Sequence, residues 1–409
     1  SIVRLACVNV LNGQRGELRS VRGQLISLLR DPRSGVVRHA AFLCKQLGPE
    51  VIPQMLDAVK DRPGEADTVG NAIARMGQPA VEPLLLAVHD AANGSGQRGD
   101  ALAAAIALGK IRPVDQRVIE AMVSGLDGTD ATQALTYLQA TSDLGEAAKS
   151  AKPAVLQQLQ NVSPEVRARA IEVLFRIAPR DDGLMDAWVG MVGDEVPAVQ
   201  VRAIETLKAL GPRSHSALSA VVEKLSSADA GVRDSAASFI RSHGSSASSA
   251  VPVLSTQLSS ADRSWRLTVI RTIGEIGSAA SSAFDPLMNL QGDDDAEIRG
   301  AAVQAIGNLG VDSRQLFACV EIALSDEDSD VRNAALRIVR RLGKEAVPLL
   351  PQLIATGADE DARRSVTRIL DRWGQVEITQ DVLARLEPLT NHESSWVNEL
   401  AIKFIHGAE

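Results

Sequence analysis

Val331, Ala334, Ala335, Ile338, Val339 and Leu342 recur at steps of three and four residues, with charged and polar residues filling the positions between them. An apolar stripe at that spacing occupies one face of a helix, so this stretch is predicted to be amphipathic and helical. A second apolar segment follows, "KEAVPLLPQLIATG", with Pro348 near its start, where a helix tolerates proline. Similar openings appear as "EVIPQML", "AVEPLLLAV", "AKPAVLQQL" and "SAVPVLSTQL". The pattern is a pair: a short A helix, then a B helix that carries arginine and ends on glycine. That glycine is predicted to supply a left-handed cap.

The B phrase returns at a fixed interval. "EIRGAAVQAIGNLG" (297–310) and "DVRNAALRIVRRLG" (330–343) lie 33 residues apart. The closing mark falls at Gly48, Gly77, Arg112, Gly145, Ala178, Gly211, Gly244, Gly277, Gly310, Gly343, Gly374 and Gly407. Every step from Arg112 to Gly343 is 33 residues, as is the last; the others are 29, 35 and 31. Self-similarity at one period over a whole chain is the mark of a solenoid. The expectation is an all-α fold: an alpha-solenoid (superhelix) of about twelve antiparallel helix pairs, continuous over residues 1–409. "VRLACVNVL" reads as a partial repeat at about residues 1–15, and the repeat at about 375–409 is atypical. The chain opens within a helical phrase, as an excised segment of a longer protein with flanking domains would.

Ankyrin repeats share this period, but their T-P-L-H-x-A phrase is absent, and a single tyrosine (Tyr137) cannot serve an array of tetratricopeptide signatures. The phrase D-x(5)-R-x-A-A-x-x-x-L-x-x-L-G, followed by A-V-P-x-L, resembles HEAT repeats instead. It is most similar to the bacterial type grouped with the phycobilisome-lyase HEAT-like family, across essentially the whole chain. That resemblance implies a ladder of Asp before the B helix and Arg on it. Asp293/Arg299 and Asp326/Arg332 match at a spacing of six. Asn161/Arg167 is a softer match, Ser227/Arg233 and Ser260/Arg266 lack the acid, and Gln200 replaces the arginine. The ladder's expected role is structural: the acid caps the B helix and the arginine bridges to the neighbouring unit.

Composition agrees with packed helices. Hydrophobic residues are 45% but aromatics only 3%, so the apolar content is mostly Ala, Leu, Val and Ile. A net charge of −8 offers no overall attraction to nucleic acid or to anionic membranes. The longest apolar run noted, "ALAAAIALG" (101–109), is too short to span a bilayer. Cys7, Cys44 and Cys319 are odd in number and widely spaced, which favours interior packing in a reducing, cytoplasmic setting over a disulfide framework.

Chemistry is sparse. "DEDSD" (326–330) starts like a calcium loop, but Val331 and Arg337 stand where that loop needs Gly and Glu, and "GDDDAE" (292–297) fails in the same way. The six histidines form no H-x-x-x-H pair, and there is no CxxC, phosphate-binding loop or G-x-S-x-G elbow. No metal, cofactor or catalytic residue is expected. Three departures from the repeat stand out: the Gly- and Ser-rich loop 89–100, the serine-rich stretch 242–265, and Trp396 in the slot where arginine is expected. Trp396 reads equally as a terminal cap and as a docking point for a following domain.

The remaining signal is charge. Positions five, eight and nine after the arginine slot hold twelve basic residues: Lys45, Arg75, Lys110, Arg176, Lys208, Arg241, Arg271, Arg337, Arg340, Arg341, Arg368 and Arg372. They hold five acidic ones: Asp143, Glu172, Glu205, Glu275 and Asp371. Interaction of last-turn cations with the helix dipole accounts for such an excess without any ligand. The resemblance implies that B helices line a concave surface, where the same residues would form a basic stripe including Phe42 and Phe175. The expected function is a non-catalytic scaffold or adaptor for a protein partner, extended or acidic. The family also contains bilin lyases and DNA-alkylation glycosylases, and a structural arm of a larger protein is a third reading.

Overall fold

Each stretch with the apolar three-and-four spacing is helical in the computed structural model, which describes residue 18 and residues 20–92, 98–127 and 130–407. Cys7, the expected partial repeat at about 1–15 and the 93–97 part of the Gly- and Ser-rich loop lie outside the described residues. Among the described residues no strand occurs, and the α-helices alternate as twelve A and twelve B elements. The B helices start at Ser34, Ala66, Arg98, Ala131, Pro164, Pro197, Ala230, Arg263, Ala296, Ser329, Glu360 and Ser395. From Ala131 to Ser329 each begins 33 residues after the last. The sequence period is therefore the period of the structure.

The pairs divide into two compact units, one ending at Leu210 and one starting at Gly211, with six pairs in each. In the C-terminal unit, Arg263–Ile276, Ala296–Ile306, Ser329–Leu342 and Glu360–Trp373 stand side by side, each backed by its own A helix. Their apolar stripes make the core: on Ser329–Leu342, Val331, Ala334, Ala335, Leu336, Ile338 and Val339 are buried. The N-terminal unit is built alike, with Trp188 and Phe175 meeting edge to face at 6.5 Å between ring centroids. Cys44 and Cys319 are fully buried, and burial pushes both thiols up to about 12. They pack as small apolar groups. No described helix is long and apolar enough to cross a membrane.

Aspartates start half of the B helices and glycines end most of them. Asp130, Asp229, Asp262, Asp295, Asp328 and Asp359 are N-caps whose carboxylates accept first-turn backbone N–H groups. At the other end, nine of the ten glycine marks have positive φ; Gly407, at φ −81°, does not. Gly343, with φ 60° and ψ −135°, is not left-handed helical, as the sequence had suggested, but extended with inverted φ. That geometry turns the chain straight into the 3-10 segment Gly343–Leu349 ahead of the next A helix, and it is nearly closed to residues with a Cβ.

A Cβ at Gly343 would have no neighbour within 4 Å, so Gly343→Ala isolates the backbone cost. It should destabilise by about 1–2 kcal/mol. Gly300→Ala, inside Ala296–Ile306 with only ordinary contacts for its Cβ, should be neutral or stabilising by up to about 1 kcal/mol. Urea melts of the two variants check this; equal midpoints would refute the φ argument.

Candidate functional site: the B-helix arginines

The arginines of the B helices do two different jobs. Those in the ladder slot are consumed by the fold. Arg299 donates through Nε and Nη2 to both carboxylate oxygens of Asp326, at 2.8 Å each, and through Nη1 to the backbone carbonyl of Asp293 at 2.9 Å. Arg167 repeats this with Asp194, at 2.7 and 2.8 Å, and with the Asn161 carbonyl at 2.9 Å. Arg266 pairs with Asp293, Arg332 with Asp359, and Arg233 with Asp262 at 3.3 Å. Arg167, Arg233, Arg299 and Arg332 each hold their own A–B loop by a backbone carbonyl, and all five reach an acid of the following repeat. Asp293 and Asp326 bridge between neighbouring repeats, while capping falls to Asp295 and Asp328 two residues later.

Burial would raise the carboxyls of Asp194 and Asp326. The guanidinium bonds from Arg167 and Arg299, with a backbone N–H on each, outweigh it and hold both below the usual carboxylate range. Trp396 closes this series. Its half-buried ring lies 5.6 Å from the Arg363 guanidinium, and a Cβ on Gly357 would come within 2.1 Å of it. Trp396 therefore packs on the preceding repeat, against Arg363 and Gly357.

The twelve basic residues beyond the slot do not behave alike. Arg176 donates to the Ser142 carbonyl at 3.1 Å, and Arg341 to the Gly307 carbonyl, each meeting the C-terminal end of the preceding B helix. These two fit the dipole account. Lys110 binds Asn71 Oδ1 at 2.6 Å, Arg241 binds Thr272 at 3.3 Å, Arg271 pairs with Glu297 at 3.2 Å, and Lys45 lies 4.4 Å above the Phe42 ring. Lys208 is also engaged. Among the described residues, Arg75, Arg337, Arg340 and Arg372 have no hydrogen bond or ion pair, and Arg368 has only the Arg364 carbonyl of its own helix, at 3.2 Å.

Four of these five unpaired arginines share one groove. It has a volume of about 450 Å³ and runs between Ser329–Leu342 and Glu360–Trp373. Arg337 and Arg340 line one side and Arg368 and Arg372 the other; Asp330 is the sole acid among the lining residues. Leu336 and Ile369 form a closed apolar floor, 4% and 3% exposed, and Asn333 and Ser365 add neutral polar groups. Arg337 and Arg368 lie upstream of the last helical turn, where the dipole is weak, so that effect does not place them. The neighbouring groove, of about 600 Å³, mixes signs: Arg271 and Arg337 face Glu275, Glu297, Asp328 and Asp330. In the N-terminal unit, Phe42, Lys45 and Arg75 line a groove of about 560 Å³ with Arg38 and Asp67.

Sequence reasoning did not pick out Asn333, Ser365 or Arg38. The first two were findable, since they stand one helical turn before Arg337 and Ile369 on the same face.

A family model described as HEAT repeats matches residues 152–241, 218–307, 251–337 and 284–371, together more than half the chain. The chain belongs to the HEAT-repeat family. Its fold is similar to a crystal structure of importin beta, with a TM-score of 0.60 at 13% identity over 98% of this chain and 64% of that one. The Kap95 chain of a Kap95:Nup1 complex gives 0.60 at 14% identity, over 97% and 65%. Kap95p bound to RanGDP gives 0.59 at 14% identity, over 97% and 64%. This HEAT-repeat chain thus spans a little under two thirds of the length of these relatives, and identities so low establish the shared all-α solenoid fold alone. No curated protein sequence matches it.

Proposed function

We propose that this HEAT-repeat chain is a non-catalytic scaffold that holds an acidic, extended segment of a protein partner on the B-helix face of its C-terminal unit. One observation carries the reading: four arginines converge on a single groove with no ion pair among the described residues, on helices whose slot arginines are all engaged. Leaving like charges together and uncompensated costs self-repulsion, which a bound anion would relieve. Structures of similar fold support a binding role, since Kap95p binds RanGDP and forms a complex with Nup1. The likeness to the phycobilisome-lyase type adds no chemistry, because the ladder residues that carry it are spent on pairs between repeats.

The test is capture from the native host's lysate by wild type and by a variant with Arg337, Arg340, Arg368 and Arg372 all changed to Glu. All four are exposed, so the variant should keep the wild-type helical melt. A partner held by wild type and lost by the variant is the expected result. A partner held equally by both would place the site elsewhere.

A further inference from the structure

The arginine groove also carries information about which anion it takes. Four guanidiniums against Asp330 leave three positive charges in one groove. Packed helices stand about 8–10 Å apart. An extended segment rises about 3.3 Å per residue and points alternate side chains the same way. Crossing from one helix to the other, it therefore presents two side chains to the groove, about 6.6 Å apart. Two carboxylates would leave a guanidinium uncompensated. Two phosphomonoesters, each with a charge of about −1.5 to −2, would neutralise the groove.

The spacing along each helix suits the same ligand. Arg337 and Arg340 are three residues apart, a rise of about 4.5 Å, and Arg368 and Arg372 are four apart, about 6 Å. A tetrahedral phosphate set between two such forks can accept from both. That all four are arginine carries little weight, since 34 of the chain's 43 basic residues are arginine. The charge count is what decides. Resting on the reading that the partner docks in this groove, we propose that its ligand is a segment with two phosphorylated serines or threonines at alternate positions.

The experiment is fluorescence polarisation with short labelled peptides, neutral except at two alternate positions that carry phosphoserine, glutamate or serine. The phosphoserine peptide should bind wild type at least about tenfold more tightly than the glutamate peptide. Binding should be lost in Arg337→Glu/Arg368→Glu. In Arg337→Lys/Arg368→Lys, the phosphoserine peptide should weaken several-fold while the glutamate peptide is little changed, because charge is kept and the fork geometry is not. Equal affinity for phosphoserine and glutamate, both lost in the reversal variant, would overturn the phosphate inference and leave acidic docking standing. Phosphopeptide binding that survives the reversal would overturn it by moving the site. Binding of neither peptide would overturn both readings.

Discussion

Asp326→Ala will cost about 3 kcal/mol, out of proportion to a change at a helix entrance. The reason is what it leaves behind. Arg299 is only 7% exposed, and Asp326 accepts from two of its nitrogens. With the carboxylate gone, a nearly buried guanidinium keeps its charge with only the Asp293 and Asp294 carbonyls and, at 3.7 Å, the exposed Glu327 carboxylate beside it. Removing both partners should be milder: Arg299→Met with Asp326→Leu should recover much of the loss, because the stranded charge goes too. The Asp326 carboxyl is held below its ordinary value of about 3.9, so its contribution is complete above that pH and lost as pH falls through the folded value. The gap between wild type and Asp326→Ala should therefore be flat from neutral pH to about pH 4 and close below it. Urea melts across pH measure this. A gap that persisted unchanged in acid would contradict the buried pair as its cause.

Trp188→Ala should be at least as damaging, at about 3–5 kcal/mol, because a fully buried indole leaves a cavity that the Phe175 edge cannot fill. Trp188→Phe should cost far less. The indole Nε1 is buried with no hydrogen-bond partner, so phenylalanine gives up some volume and also removes an unsatisfied donor. Repeat proteins unfold by segments, so hydrogen exchange in Pro164–Ile177 and Met185–Val192 is the sharper readout. Exchange in the alanine variant should accelerate by at least about a hundredfold and stay near wild type in the phenylalanine variant. Equal acceleration in both would show that the N–H is not the liability described.

The period, the helix pairs and the buried stripe were all legible in the sequence, because apolar spacing and glycine punctuation are local. The ladder was legible only in part. The acid six residues before the arginine was expected to cap its own B helix, yet Asp326 accepts from Arg299 of the preceding repeat and Asp328 does the capping. Nothing within a single repeat records what the next one presents. The twelve basic positions divide for the same reason. Arg341 and Arg337 are four residues apart on one helix, but Arg341 meets the Gly307 carbonyl while Arg337 makes no hydrogen bond or ion pair among the described residues and lines a groove on either side of its helix. Whether a cation is spent or free depends on the adjacent helix, which a count by position cannot see.

The most direct test of the account compares two variants with the same change in net charge. One has Glu in place of Arg337, Arg340, Arg368 and Arg372; the other has Glu in place of the exposed Lys149, Arg180, Arg314 and Lys403. Affinity for an acidic peptide probe is measured for both at physiological salt. The groove variant should lose at least about tenfold while the scattered variant stays within about twofold of wild type. Equal losses would mean that the peptide responds to overall charge and that the groove is no site.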